Sequence, residues 1–471
     1  MSRPPGRGDG APGDPPDDAD GRGPSRVPGR AAYLALLGTT TAGTVGGTII
    51  NAPLDWIKED FGASDSRVVL SIAAYTVAMA VFVPLAGWLC DRLGAIRVVA
   101  LGLGLLSVAQ LAAVFSTSLE MLIVLRAVQG IACATFPPGV QRSLPALWPA
   151  KGASALAAWA AAIGVGQAMG PPVGGLVAQF FGWRGVFGFA GVFSAILLVA
   201  VLVTVPHIPG RKVPIHAPGV VVLMLSIGLF VVAATMVGQR VAWGPDVVVG
   251  LAALVSGVVF LVIAAKRPDR LLPPRSLLER RYARATAMAA TMMFIMGIVL
   301  SSLPLWIAQE LRLGPGPVGV IVFAMAAAMA TSSRLTSALR TRLGGWKASI
   351  TVLSALIAVP LLLGAWMDWG PDAALAGVQS VGIIVALLLM GVAINAGQSL
   401  SAFSVSLSQT GKNSLAFGMH NTARFMGLAT GFAWTALFYP LGSMMLLFAG
   451  AAVAAAASMS LVMSGGPLAD R

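Results

Sequence analysis

The sequence predicts an all-α integral membrane protein, and three observations carry that prediction. Of 471 residues, 57% are apolar and only 10% are charged. A soluble protein carries about 25% charged residues, so this chain cannot cover a globular surface with polar groups. The apolar residues gather into fourteen segments, each near the roughly 20 residues that a helix needs to cross a bilayer. Lys and Arg in the intervening loops alternate from side to side, seventeen on one side and five on the other. The segments are apolar all round, whereas the strands of a transmembrane barrel alternate apolar and polar residues.

The elements follow in order. Residues 1–30 hold seven Gly, seven Pro, five Arg and five Asp, without an apolar run. That composition predicts a disordered tail and excludes a signal peptide. The predicted spans are 32–54, 67–89, 97–117, 119–138, 153–180, 184–206, 217–239, 245–265, 285–307, 317–338, 348–366, 373–400, 415–438 and 441–463. Turn residues and charges separate them, as at Lys58-Glu59-Asp60 and Pro206-His207-Ile208-Pro209-Gly210. The basic side should be cytoplasmic, and an even number of spans then places both termini there.

The chain also repeats itself. Gly87-Trp88-Leu89-Cys90-Asp91-Arg92-Leu93-Gly94 follows the second segment, and Ser337-Ala338-Leu339-Arg340-Thr341-Arg342-Leu343-Gly344 follows the tenth, 250 residues later. Related halves are the plan of many secondary transporters. The expected organisation is a cytoplasmic tail (1–30), a six-helix half (31–206), a two-helix insert with basic cytoplasmic loops (207–284) and a second six-helix half (285–471).

Other function classes are disfavoured. A net charge of +13 would suggest nucleic acid in a soluble protein, but here the basic residues sit in loops between apolar runs, where topology accounts for them. Cys90 and Cys133 make no disulfide framework or CxxC pattern, and His207, His216 and His420 are too scattered for a metal site. Gly314-Pro315-Gly316-Pro317-Val318-Gly319 fits GxGxxG but opens no βαβ unit, so it reads as a turn. The chain has no GxxxxGK[ST] and cannot itself be an ATP-driven pump. Asp17-Asp18 is the only acidic pair of its kind, which counts against a membrane prenyl-transfer enzyme. The expectation is a non-enzyme without cofactor or metal.

Three motifs carry the chemistry. The first is the loop Gly87-x-Leu89-x-Asp91-Arg92-Leu93-Gly94-x-x-Arg97. Gly87 permits close helix approach, Asp91 can accept from a helix N-terminus or pair with a base, and Arg92 and Arg97 hold the loop on the basic side. The second is Leu122-x-x-x-Arg126-x-x-Gln129-Gly130. An arginine inside a membrane helix is costly and faces a polar cavity, unless it snorkels to the headgroups. The third is Gly166-Gln167-Ala168-Met169-Gly170-Pro171-Pro172-Val173-Gly174-Gly175, in which Gly170 and Gly174 make a small-residue packing face and the prolines bend the helix.

Together these residues resemble the major facilitator superfamily, and within it the fourteen-helix drug–proton antiporters. Thr48-Ile49-Ile50-Asn51, Gly182-Trp183-Arg184 and Gly418-Met419-His420-Asn421-Thr422-Ala423-Arg424 add to the resemblance, which covers nearly everything after residue 30. It implies a multi-pass protein of the cell membrane exporting an amphipathic small molecule such as a drug, antibiotic or metabolite against protons, and the chain is expected to act as a monomer. The alternatives are an importer or uncoupled facilitator, and a transporter-like sensor that moves nothing. High Ala, Gly, Val and Arg point to a bacterial source.

The chain departs from the family where an acid usually precedes the first-helix signature; here Val45-Gly46-Gly47 stands there. No other acid lies deep in a span. The remaining proton-carrier candidates are His420, Asp55, Glu120 and Asp91. Polar groups expected to line the pocket are Asn51, Arg126, Gln129, Gln167, Asn395, Gln398, Asn421 and Arg424. Met288, Met292, Met293 and Met296 suit either an adaptable pocket wall or plain packing.

Overall fold

The computed structural model describes residues 28–211, 216–238, 244–266, 274–313, 315–369, 376–412 and 414–464. The expected disordered tail lies almost wholly outside the described residues. Every regular element among the described residues is helical. The α-helices are α1 (Arg30–Thr48), α2 (Leu54–Asp60), α3 (Asp65–Leu93), α4 (Ala95–Val114), α5 (Leu119–Cys133), α6 (Phe136–Leu147), α7 (Gly152–Thr204) and α8 (Ala217–Gly238). They continue as α9 (Pro245–Lys266), α10 (Pro274–Leu277), α11 (Arg280–Glu310), α12 (Pro315–Thr331), α13 (Ser333–Asp368), α14 (Ala376–Ser406), α15 (Ser414–Phe438) and α16 (Met444–Met463).

Among the described residues, eleven helices are long and apolar enough to cross a membrane. One of them is too long for a single crossing. The 53 residues of α7 would extend about 80 Å at the helical rise, against a hydrocarbon core of about 30 Å. The helix is broken at Gly182, whose φ of 68° is one that a residue with a Cβ rarely adopts. Gly344, with φ 75°, breaks α13 in the same way. Both glycines stand between segments that the hydropathy pattern separates.

Two boundaries differ from expectation. The first segment ends earlier, because α1 stops at Thr48 and a short 3₁₀ turn, Ile49–Asn51, leads into α2. The fourth extends further, because Pro137 falls in the first turn of α6, where a missing N–H costs no helical bond. The chain therefore stays helical to Leu147.

The helices pack as two groups and a pair. In the first, Leu36, Phe136, Leu156 and Trp159 meet in a core drawn from α1, α4, α6 and α7. In the second, Met292, Ile298, Leu353 and Phe448 do so for α11, α13 and α16. The pair α8–α9 lies against both groups: Ile227 and Phe260 pack with Ala80 of α3 and with Phe425 of α15. The ends of α3 and α11 that carry Arg92 and Arg281 define what is called below the basic face.

Candidate functional site

Arg126 sits in α5, a helix capped by Ser118, whose hydroxyl accepts from Met121 N at 3.2 Å. Its side chain is wholly buried and does not snorkel. Nε donates to Ser71 O at 3.2 Å, while Nη1 donates to Gly46 O at 2.7 Å and to Gln129 Oε1 at 2.9 Å. The guanidinium lies 4.4 Å from the ring centroid of Tyr75, whose hydroxyl donates to Gly43 O. Gln129 in turn donates to Ala109 O. One cation thus ties together α1, α3 and α5, and Gln129 extends the network to α4. At Gly46, the position without the acid, the backbone carbonyl accepts from the arginine.

A second buried cluster joins the two groups. Arg424 donates through Nη1 to Asn421 Oδ1 and through Nη2 to Gln398 Oε1, both at 2.7 Å. Its guanidinium lies 5.0 Å from the ring centroid of Trp159, on α7 of the first group. Asn421 Nδ2 donates across the interface to Gln141 Oε1 on α6 at 2.7 Å. His420, fully buried, places Nδ1 3.1 Å from Thr286 Oγ1 of α11. Five buried nitrogens of this cluster have no hydrogen-bond partner: His420 Nε2, Arg424 Nε, Gln398 Nε2, Gln141 Nε2 and Trp159 Nε1. Unpartnered buried polar atoms are costly. Here they are concentrated where the two groups meet.

Asp91, at the end of α3, strengthens the same closure. It is 6% exposed, forms an ion pair with Arg142 of α6, and accepts from Leu415 N in the first turn of α15 at 3.1 Å. Leu415 belongs to the second group, so the acid spans the interface. Gly94 follows with φ 94°, and a Cβ there would overlap the carbonyl of Ile208. The segment after α7 packs on this loop, with Arg211 N donating to Asp91 O at 2.7 Å. Gly87 is buried, whereas Arg92 and Arg97 are exposed; Arg92 lies over the Trp88 ring.

The third motif forms the contact between α7 and α1. A Cβ on Gly166 would press on Thr44, one on Gly170 would fall on Thr48 Oγ1, and one on Gly174 on Ile49 O; Gly175 stands beside Ala52. Pro171 and Pro172 lie inside the helix at this contact.

The remaining candidates are dispersed. Gln167 donates to Met296 Sδ at 3.6 Å, a contact between the groups. Asn395 donates to Ser332 Oγ and Thr336 Oγ1 within the second group. Asn51 is exposed in the 3₁₀ turn. Glu120 is 63% exposed and paired with Arg67. Asp55 belongs to α2, but its side chain lies outside the described residues. Met288, Met292, Met293 and Met296 are all buried in the second core, so they act chiefly as packing. Gln141 and Trp159 were not expected at the site. Gln141 lies beyond the predicted end of the fourth segment, and Trp159 reads simply as one more apolar residue.

Away from the basic face the groups part. A cavity of about 510 Å³ is lined by Ile72 and Thr76 of α3, Val231 of α8, Ser301 of α11, and Leu428 and Phe432 of α15. A second, of about 770 Å³, lies outside the interface between the groups, along α8, α9 and α15, and reaches Leu277 near the basic face. Both fall in the 300–1,000 Å³ range, roughly, of small-molecule sites. The interface is therefore shut at the basic face and hollow toward the opposite one.

The sequence matches the family model of the Major Facilitator Superfamily over residues 34–432. Among similar proteins is the methylenomycin A resistance protein of Bacillus subtilis (strain 168), 29% identical over 50% of this chain and 52% of the relative. The multidrug export protein EmrB of Escherichia coli (strain K12) is 28% identical over 53% of this chain and 49% of the relative. The matched region thus spans about half the length of these two relatives. The multidrug resistance protein Stp of Mycobacterium tuberculosis (strain ATCC 25618 / H37Rv) is 25% identical over 82% of this chain and 71% of the relative. The solved structure of the human organic anion transporter MFSD10 superimposes with a TM-score of 0.60, covering 92% of this chain and 98% of that one at 16% identity, a likeness of fold.

Proposed function

Because this chain belongs to the Major Facilitator Superfamily, we propose that it is a secondary active exporter of amphipathic small molecules, working by alternating access and driven by proton antiport. The observation that carries this reading is the asymmetry of the interface. Polar contacts (Asp91 with Leu415 N, Gln141 with Asn421, Arg424 over Trp159) shut the basic face, while a drug-sized cavity lies toward the other. A rocking motion of the two groups about the α3–α15 contact would open the one as it closes the other. Relatives named for multidrug export and antibiotic resistance support export as the direction and drugs or antibiotics as the cargo.

In this scheme the polypeptide crosses fourteen times as two six-helix halves, with α8–α9 inserted between them. Breaks at Gly182 and Gly344 support that count. The basic face is cytoplasmic, as the loop charges require, and the transporter acts as a monomer in the cell membrane. Arg126 fixes the first half, while Gln398, Asn421 and Arg424 form the polar part of the central site. His420 is the proton carrier, because it is the one titratable imidazole at the interface and its Nε2 has no partner. One observation favours an uncoupled facilitator instead: Gly46 stands where the antiporters carry an acid. The experiment that separates the two uses inverted vesicles loaded with the chain, a panel of labelled drugs and an imposed pH gradient. An antiporter moves cargo uphill and releases protons. A facilitator moves it only downhill, and flux independent of the chain would refute transport altogether.

A further inference from the structure

Arg424 is a buried cation without a buried anion. It is 3% exposed and enters no ion pair among the described residues. Its partners are two neutral amides, Asn421 and Gln398, and the face of Trp159. A buried charge left uncompensated is costly. Arg126 is buried too, but backbone carbonyls hold it inside the first group, whereas Arg424 stands where the two groups meet.

The guanidinium also orients its neighbours. It only donates, so Asn421 and Gln398 turn their side-chain oxygens toward it. Asn421 therefore points Nδ2 at Gln141, which accepts through Oε1. These three amide oxygens are thereby used, and nitrogens are left over: Arg424 Nε, Gln398 Nε2 and Gln141 Nε2, with the indole Nε1 of Trp159 beside them. All four are donors. His420 Nε2 is not counted, because its role depends on the tautomer. A positive charge surrounded by unmet donors repels a cation. An ionised carboxylate supplies the countercharge and about four lone-pair sites.

The neighbouring cavity suits the rest of the ligand. Leu428, one turn beyond Arg424 on α15, lines the cavity of about 510 Å³, and no charged residue does. An acidic group at Arg424 would leave an apolar body of drug size in that space.

Building on export as read above, we propose that the cargo is an amphipathic organic anion, its carboxylate or comparable acidic group bound by Arg424 and by the donors of Gln398, Gln141 and Trp159. A membrane potential that is negative inside drives an anion outward, the direction of that export. The test uses the full chain, in detergent for binding by equilibrium dialysis and in inverted vesicles for flux. The probes are labelled naphthoate, its neutral amide naphthamide and the cation naphthylmethylammonium, which share one apolar body. Naphthoate should bind about tenfold tighter than naphthamide, the worth of one charge-assisted hydrogen bond, and the cation most weakly. Arg424→Gln should abolish that preference and Arg424→Lys should keep part of it. Trp159→Phe, which keeps a ring but no N–H, should lower it about threefold. Should Arg424→Gln not fold, an unchanged preference in Trp159→Phe overturns the proposal. Naphthoate binding with this pattern but no flux of any probe would uphold the site and count against export. Flux of the cation or the amide with naphthoate excluded would uphold export and overturn the anion. Equal or absent binding of naphthoate and naphthamide overturns the proposal, as does a preference that Arg424→Gln leaves unchanged.

Discussion

Asn421 of α15 donates to Gln141 of α6 across 2.7 Å, and both residues are fully buried. The bond joins residues 280 apart in sequence and ties α15 to α6 across the interface between the two packing groups. It has to break whenever the basic face opens. A net hydrogen bond contributes about 0.5–1.5 kcal/mol, enough to bias a two-state equilibrium without locking it.

Gln141→Leu should therefore favour opening at the basic face. Asn421 keeps Phe417 O as a partner for its Nδ2, so about 1 kcal/mol, or roughly fivefold in the conformational equilibrium, is expected. Spin labels at the exposed positions Arg97 and Gln409 report the separation of the two halves. A distance distribution unchanged from the parent would mean that this bond does not hold the gate.

Arg126→Lys should cost both stability and transport. A single ammonium cannot reproduce the fork that reaches Ser71 O, Gly46 O and Gln129 Oε1. Each buried acceptor left unmet costs about 1–3 kcal/mol. Thermal unfolding of the purified protein, read beside vesicle transport, checks this; a parental melting point with full transport would remove the clamp role.

Gly170→Ala should already impair transport, because its new methyl meets Thr48 Oγ1. Overpacking costs about 1–3 kcal/mol. Thr48→Ala removes that oxygen and should partly restore the double variant, although the Thr48 Cβ would remain only 2.9 Å away. Absence of any rescue would place the defect elsewhere than this contact.

His420→Gln tests coupling. If the imidazole carries the proton, uphill efflux stops while downhill exchange survives, since glutamine can keep the contact with Thr286 but cannot titrate. Uphill pumping at the parental rate would move the search to Asp55, Asp91 or Glu120, of which Asp91 contacts α15 across the interface.

Topology is open to direct measurement. Reporters fused after Trp369 and Tyr439 should read as outside, and those after Lys347 and Lys412 as inside. A set of readings compatible only with twelve passes would eliminate the inserted pair.

Much of this was already written in the chain. Composition demanded a bilayer, and hydropathy separated two spans around Gly182, where the backbone of α7 does break. Asp91 offered itself to either a helix start or a base, and it serves both, through Leu415 N and Arg142. These signals are local: hydropathy sums within one segment, and a glycine with positive φ is needed where the backbone itself turns. The polar partners were different. Asn395 looked like a cavity residue but is spent on Ser332 and Thr336, while Gln141 and Trp159 entered a site that no segment predicted. Which buried polar groups meet depends on the depth and rotation of helices far apart in sequence. Packing fixes both, through contacts such as Gly170 on Thr48, and hydropathy is blind to them. The sequence by itself thus determined a membrane-spanning helical protein with a basic face. Only the tertiary structure decided that Arg126 would brace one half, and that Arg424, Asn421 and Gln141 would close the gap between the two.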